Sequence, residues 1–142
     1  MTKQLNVFVE NKPGKLDSIA KMLSESSIQI IAFAVQNRGD FGIMRLLVSD
    51  PDKASMMLSR NGFACAVKDI LAVSVKDKTG NLHKLTSLLL SKNVNMLDTY
   101  GFVTASGGTG ICCIEAENMP NVKEVLEKGG FKVLNEQELY NL

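Results

Sequence analysis

The feature that most limits what this chain can fold into is an internal repeat. A shift of 66 residues carries Leu5–Val9 onto Leu71–Val75 and Gly14 onto Gly80, with apolar positions matching between them. The second copy is two residues longer than the first after Gln36. Beyond that point the apolar and glycine positions of the two copies match at a shift of 68 residues. The sequence therefore predicts two copies of one structural unit. Their bounds are residues 1–68 and residues 71–142.

Each copy has the hydrophobic pattern of strand, helix, strand, strand, helix, strand. Alternating or β-branched apolar runs indicate the strands, and apolar residues three or four apart indicate the helices. The first copy has predicted strands at 5–9, 28–35, 41–48 and 63–67, a hairpin loop at 37–40, and helices that begin near Pro13 and after Asp50. The second has predicted strands at 71–75, 94–104, 110–115 and 131–134, a hairpin loop at 105–108, and a short tail helix at 136–142.

A βαββαβ unit is the ferredoxin-like pattern, which forms an antiparallel sheet with both helices on one face. We therefore predict an α+β protein built of two tandem ferredoxin-like units. A unit of ~65 residues is small and buries only ~60% of its unfolded surface. Since only residues 68–70 separate the two units, we expect the sheets to join edge to edge, which would remove two exposed strand edges.

Composition argues against several classes of protein. The chain has 16 Lys and Arg against 15 Asp and Glu, so it lacks the basic surplus typical of nucleic-acid binding. No apolar run approaches the ~18 residues of a membrane span, and Met1–Gln4 leads into the first strand without a secretory signal. The three cysteines form no disulfide framework. We expect a cytoplasmic protein that binds neither nucleic acid nor a membrane.

Groups suited to catalysis are few and scattered. His83 is the only histidine, and Asp17 takes its place in the first copy, so the repeat does not require an imidazole. The cysteines fall within strand patterns, where packing is the simpler role. Ser106–Gly110 is glycine-rich, but it joins two strands and lacks the following helix of a phosphate-binding loop. No residues have metal-ligand spacing. We expect no catalytic activity, no metal and no cofactor.

The loop after the first strand of each copy is the remaining candidate site. It covers Glu10–Leu16 and, in the second copy, Lys76–Leu82, with a glycine near the predicted helix start. The first N–H groups of a helix lack partners and favour an anion, and glycine allows close approach of a ligand. The carboxylate of an amino acid would suit this place, with Asn11 or Asp77 near its ammonium group. A tight turn with a capping residue explains the same pattern, and the residues leave both interpretations open.

Two tandem βαββαβ units with an [Asn/Asp]-Lys-x-Gly-x-Leu loop resemble tandem ACT-domain proteins. ACT domains are small regulatory modules that bind amino acids. Asn11–Gly14 followed by Leu16 matches the family's [Asp/Asn]-x-Pro-Gly-x-Leu signature, whereas Thr79 replaces the proline in the second copy. Asn93–Met96 is similar to the family's entry into its second strand, usually glycine-valine-asparagine-isoleucine. The resemblance covers nearly the whole chain.

The resemblance also implies a ligand site. In the family the effector lies between two ACT units, one supplying the loop and the other the start of its second strand. Carried over by position, Asn11 pairs with Asn95, and Asp77 pairs with Gln29. The first loop is favoured because it keeps the signature proline. The ligand-binding residues implied in this way are Asn11, Lys12, Pro13, Gly14, Lys15, Leu16, Gln29, Asp77, Thr79, Gly80, Asn81, Leu82 and Asn95.

The function predicted from the sequence is amino-acid sensing without catalysis. The expected partners are a free amino acid effector and a separate enzyme subunit of amino-acid metabolism, and a homodimer is a further candidate assembly. The alternative from another class is a protein–protein interaction module without a small-molecule ligand, in which the loops only cap helices. An enzyme on a ferredoxin-like scaffold is a third and weaker alternative, since fold does not fix function.

Overall fold

The computed structural model describes residues 1–76, 78–105 and 107–142. None of the helices in these three segments has the length and apolar character needed to cross a membrane. The elements in chain order are β1 (Thr2–Glu10), α1 (Lys15–Glu25), β2 (Ile30–Arg38), β3 (Phe41–Val48), α2 (Pro51–Arg60), β4 (Ala64–Lys76), α3 (Asn81–Ser91), β5 (Met96–Val103), β6 (Thr109–Ala116), α4 (Met119–Lys128), β7 (Lys132–Leu134) and α5 (Glu136–Tyr140).

The first compact unit contains Lys3–Lys68 and has the strand order β2-β3-β1-β4. Strand β3 pairs antiparallel with both β1 and β2, so that Leu46 lies opposite Leu5 on one side and Phe33 on the other. Apolar residues of α1 and α2 pack on one face of this sheet and close the core. Its buried members are Leu5, Val7, Val9, Ile19, Leu23, Ile28, Met44, Leu46, Val48, Ala54 and Leu58.

The second compact unit contains Asp69–Leu142 together with Met1–Thr2. Strand β4 pairs antiparallel with β6 and β7, and β5 pairs with the other edge of β6. The buried hydroxyl of Thr2 donates to the carbonyl oxygen of Leu134 in β7, at 3.3 Å. Helices α3 and α4 cover one face of this sheet. The buried core residues are Leu71, Val73, Leu85, Leu89, Ile114, Ala116, Val122 and Leu126.

The predicted α+β fold of two βαββαβ units with antiparallel sheets is confirmed, and in each unit both helices pack on the same face. Strand β4 is longer than predicted, however. The expected break at residues 68–70 is wrong, because these residues continue the strand between 64 and 76. They contain neither glycine nor proline, and Ile70 is buried, so nothing in them forces the chain to turn.

The two predicted helix starts of the first unit have different outcomes. The carboxylate of Asp50 accepts a hydrogen bond from the Lys53 N–H at 3.0 Å, so the expected cap of α2 is confirmed. The expectation that Pro13 occupies the first turn of α1 is wrong, because the helix begins at Lys15. Pro13 lies in the turn before it, and Gly14 takes the capping position in the left-handed conformation.

The repeat also holds at the level of backbone angles. Gly14 and Gly80 have φ values of +86° and +90°, and Gly62 and Gly130 both have +87°. A third matched pair, Ser27 and Asn93, has φ values of +56° and +53° just after the first helix of each unit. Any residue with a side chain is strained at positive φ, and asparagine tolerates this left-handed region better than serine.

We expect Ser27→Gly to raise the free energy of unfolding by about 0.5–1 kcal/mol, because glycine removes the strain at positive φ. The matched control is Ser26→Gly. Residue 26 has φ of −93°, so glycine there relieves no strain. It adds unfolded-state entropy and removes the hydrogen bond that the Ser26 hydroxyl donates to the Met57 sulfur at 2.7 Å, and it should destabilise. Urea unfolding followed by circular dichroism measures both variants. Equal destabilisation by the two substitutions would show that residue 27 carries no strain.

The cysteines lie where the strand pattern placed them. Cys65 and Cys112 are partly buried against the cores of their units, and Cys113 is 1% exposed. Burial raises the pKa of all three thiols, and that of Cys113 reaches about 12. A thiolate is the nucleophilic form, so these pKa shifts make Cys113 a poor nucleophile at neutral pH and agree with a packing role.

The raised pKa of Cys113 predicts a loss of stability in alkali. The unfolded chain releases the thiol proton near pH 9 and the folded chain near pH 12, so the stabilisation is complete below pH 9 and is lost as the pH rises toward 12. Between pH 7.5 and pH 10.5, the free energy of unfolding should fall by about 2 kcal/mol more in the unaltered protein than in Cys113→Ala. Urea titrations at the two pH values measure this, and equal falls would contradict it.

Candidate functional site

The loop of the first unit joins β1 to α1 through a turn over residues 11–14. Gly14 provides no side chain to cap the helix, and the first α-helical hydrogen bond runs from the Ser18 N–H to the Gly14 carbonyl at 2.9 Å. Among the described residues, the N–H groups of Leu16 and Asp17 have no acceptor. The start of α1 therefore has free donors and the positive end of the helix dipole, as an anion site needs.

Asn11 is held in place by the β2–β3 hairpin. Its backbone N–H donates to the Asp40 carbonyl at 2.8 Å, and its side-chain Nδ2 donates to the Gly39 carbonyl at 2.9 Å. The Oδ1 atom accepts no hydrogen bond from the described part of the chain. The side chain is thus oriented by its nitrogen, while its oxygen remains available as an acceptor.

Charged side chains surround this loop. The carboxylate of Glu10 lies 3.0 Å from the Lys12 ammonium and 4.0 Å from that of Lys15. The hydrogen bond from Lys12, together with the attraction of both lysines, holds the pKa of Glu10 below its usual value. These side chains are exposed, so the pairs are screened by water. An incoming carboxylate can therefore compete with Glu10 for the two lysines.

The described part of the second unit's loop matches the first at its glycine but is held by a different side-chain hydrogen bond. Gly80 again precedes the helix at positive φ, and the Lys84 N–H donates to its carbonyl at 3.0 Å. Here the side-chain Nδ2 of Asn81 donates to the Lys76 carbonyl at 3.0 Å and closes the turn. Asp77, the predicted ammonium partner, lies outside the described residues. The predicted Thr79 lies in the turn itself.

The second-strand positions lie at the far end of their strands from these loops. Gln29 precedes β2, where its N–H donates to the Ser49 hydroxyl at 3.0 Å, whereas Asn11 contacts the hairpin that follows β2. A strand of nine residues is about 30 Å long. Asn95 likewise precedes β5 and lines a separate cavity of about 350 Å³. Within one unit, therefore, a single amino acid cannot touch both the loop and the second-strand position.

The structure also contains a cavity that sequence reasoning missed. It has a volume of about 490 Å³ and lies in the second unit between α3 and the β5–β6 hairpin. Leu82 is the predicted site residue that lines it, whereas Gly101 and Cys112 were not predicted as site residues. Aligning the two copies would have given the signal, because these positions correspond to the larger Val35 and Met44.

Other chemistry is sparse in the described residues. Across residues 1–76, 78–105 and 107–142, no three His, Cys, Asp or Glu side chains lie close enough to hold a metal ion. His83, the lone histidine, is an exposed residue of α3.

Comparison with known proteins places this architecture. A family model described as an ACT domain pair matches residues 1–142. Protein BT0572 from Bacteroides thetaiotaomicron has 33% sequence identity, a TM-score of 0.93, and an alignment covering 99% of this chain and 96% of that one. Among curated proteins, none matches the sequence.

Two further solved structures share the fold at low identity. The regulatory subunit of aspartate kinase from Thermus thermophilus, in its ligand-free form, has 16% identity and a TM-score of 0.67, over 89% of this chain and 91% of that chain. The corresponding subunit from Thermus flavus has 16% identity and a TM-score of 0.62, over 90% and 92%. Because the family model spans every residue and the resemblance seen in the loops agrees with it, the chain belongs to the family of ACT domain pairs.

Proposed function

We propose that this protein is a non-catalytic amino-acid sensor that regulates a separate enzyme or partner in the cytoplasm. The observation that carries the proposal is the loop before α1, where a left-handed glycine leaves the first helical N–H groups without acceptors. The first loop is the proposed amino-acid site, and no cofactor takes part.

The chemistry of the first loop suits a zwitterion. A carboxylate would accept hydrogen bonds from the N–H groups of Leu16 and Asp17 and be attracted by the dipole of α1. Lys12 and Lys15 would add positive charge next to it. The Oδ1 atom of Asn11 would accept a hydrogen bond from the ammonium group. The family resemblance adds Asn95 as the second-strand contact of the same ligand.

The regulatory role is supported by proteins of the same fold. The two Thermus structures are described as regulatory subunits of aspartate kinase, and their fold extends over about nine-tenths of this chain. A regulatory subunit acts on a reaction carried out by another polypeptide. We extend that role to this chain.

A second candidate function is supported by an exposed aromatic surface on the first unit. The rings of Phe8 and Phe41 stack at 5.0 Å and are 51% and 46% exposed, and Ile43, which is paired with Phe8, is 45% exposed. A cluster of this kind is typical of a protein-binding surface. This surface favours the alternative of a protein–protein interaction module without a small-molecule ligand. A thermal-shift screen of amino acids distinguishes such a module from a sensor.

We expect one amino acid, or a chemically related few, to raise the melting temperature at millimolar concentration. A ligand that binds only the folded state stabilises it by ~2.7 kcal/mol at a hundred times its dissociation constant, which is roughly 5–10 °C for a domain of this size. A thermal-shift screen of the twenty common amino acids, on protein refolded from denaturant to remove carried-over ligand, measures this. A flat response to all of them would favour the interaction module.

Gly14→Glu should remove the effect of the effector, because it places a carboxylate where the ligand's own carboxylate binds. Gly80→Glu is the matched control, since Gly80 has the same left-handed backbone and suffers the same strain in the second unit. We expect each variant to lower the melting temperature without ligand, and only Gly14→Glu to abolish the ligand-induced shift. Loss of the shift in both variants would indicate a general effect of strain.

The same assay tests the predicted pairing of Asn11 with Asn95. Asn11→Ala and Asn95→Ala should each reduce the binding free energy of the effector by about 1–3 kcal/mol, because its ammonium group loses a polar partner. Gln29→Ala, the equivalent change in the first unit, should leave the shift unchanged. A loss with Gln29→Ala and none with Asn95→Ala would place the ligand at the second loop instead.

A further inference from the structure

The cavity of the second unit exists because two side chains of the first unit are missing there. In the first unit Val35 of β2 lies opposite Met44 of β3, and both pack against the core below the helices. The corresponding pair in the second unit is Gly101 opposite Cys112, and both line the cavity. The pairing registers of the two hairpins match, so the comparison is one of equivalent positions on the same face of the sheet.

Exposure of the neighbouring residues shows the same difference. Met44 is 4% exposed and Val9 is 3% exposed in the first unit, whereas their counterparts Cys112 and Val75 are only partly buried. The smaller side chains have therefore opened the core of the second unit toward solvent beside α3. The resulting volume of about 490 Å³ lies within the range of small-molecule sites.

The interior of the cavity is apolar. Val75, Leu82, Leu85 and Met96 contribute aliphatic and thioether surface. The two threonine hydroxyls of the lining are already engaged, that of Thr86 donating to the His83 carbonyl at 3.1 Å and that of Thr99 lying 3.5 Å from the Cys112 sulfur. The interior thus favours a hydrocarbon group over a polar one.

The charged residues in the described part of the lining have one sign. Lys76 and Lys78 are exposed members of the lining, and the described lining residues include no Asp or Glu. In the first unit the residue equivalent to Lys76 is Glu10, which pairs with Lys12 at 3.0 Å. Among the described residues, Lys76 and Lys78 have no such carboxylate partner. Two ammonium groups beside an apolar cavity suit a ligand with an apolar body and one negative end.

We propose that this cavity is a second binding site, separate from the first loop, for a small monocarboxylate with a compact branched-aliphatic or aromatic group. The hydrocarbon group fills the space left by Gly101 and Cys112, and the carboxylate faces Lys76 and Lys78. An amino acid, a 2-oxo acid and a simple carboxylic acid all share this chemistry. The residues of this site all belong to the second unit, so the proposal does not depend on the amino-acid site at the first loop.

The chain itself provides the variant that tests the cavity. Gly101→Val with Cys112→Met restores the two side chains of the first unit. A Cβ atom added at Gly101 would lie 3.4 Å from the Ile111 carbonyl oxygen, an ordinary contact, and its backbone needs no glycine angle. We expect this double variant to melt at or above the temperature of the unaltered protein. Gly101→Ala is the smaller substitution for use if the double variant does not fold.

Binding is measured with 4-methylpentanoate, 4-methyl-2-oxopentanoate and L-leucine, which distinguish the three sources, and with neutral 4-methylpentanamide as the control. Thermal shift and backbone-amide NMR are recorded for each. At least one acid should raise the melting temperature by a few degrees and shift the amides of Gly101 and Leu85 rather than those of Val35 and Ile19. The double variant that fills the cavity should bind that acid at least about tenfold more weakly.

The lysines are tested by Lys76→Gln with Lys78→Gln, against Lys84→Gln, an exposed residue of α3 that does not line the cavity. The variant with both Lys76 and Lys78 replaced should bind the acid more weakly, whereas Lys84→Gln should bind it as tightly as the unaltered protein does. Retained binding in the filled variant, equal binding of the amide, or no response to any of the three acids would overturn the proposal. Gly14→Glu separates the two sites, because it should abolish the first-loop effector and leave 4-methylpentanoate binding unchanged.

Discussion

Each unit depends on one backbone constraint, a glycine in the left-handed conformation between its first strand and its first helix. At φ of +86° and +90°, Gly14 and Gly80 turn the chain from the sheet onto the face that the helix covers. That turn brings Ile19 and Leu23, or Leu85 and Leu89, onto the core. The same turn leaves the start of the helix without a side-chain cap. Core packing and unsatisfied donors therefore have a common origin.

Much of the fold was predictable because the sequence contains the pattern twice. Apolar periodicity located both units and their helices, and Asp50 marked the start of α2. The continuity of β4 was missed, since Lys68 and Asp69 resemble a polar linker while strand pairing is decided by distant residues. Pro13 was assigned to the helix because proline suits a first turn, but the glycine after it determines where the helix begins.

The candidate site was predictable only in part. The loop glycines and Asn11 follow from local sequence, whereas the contact of Asn11 with Gly39 depends on how the hairpin folds back. The cavity could not be found from apolar periodicity, because it arises where side chains are small. Aligning the two copies shows that Gly101 and Cys112 replace Val35 and Met44, but only the pairing of the two strands shows that both small residues lie together. The two units therefore share the same backbone turns, but they differ in the volume of the side chains beside the first helix and in the charge of the loop next to it.

The hydrogen bond from Thr2 to Leu134 affects how the protein can acquire its structure. It joins residues 132 positions apart, and Met1–Thr2 belongs to the same compact unit as Asp69–Leu142. Contacts at large sequence separation form late, because the loop between them must close first. During synthesis, Thr2 must wait for β7 to leave the ribosome, whereas Lys3–Lys68 already has all its strands. The first unit can thus fold cotranslationally, and completion of the second is delayed until β7 has been made.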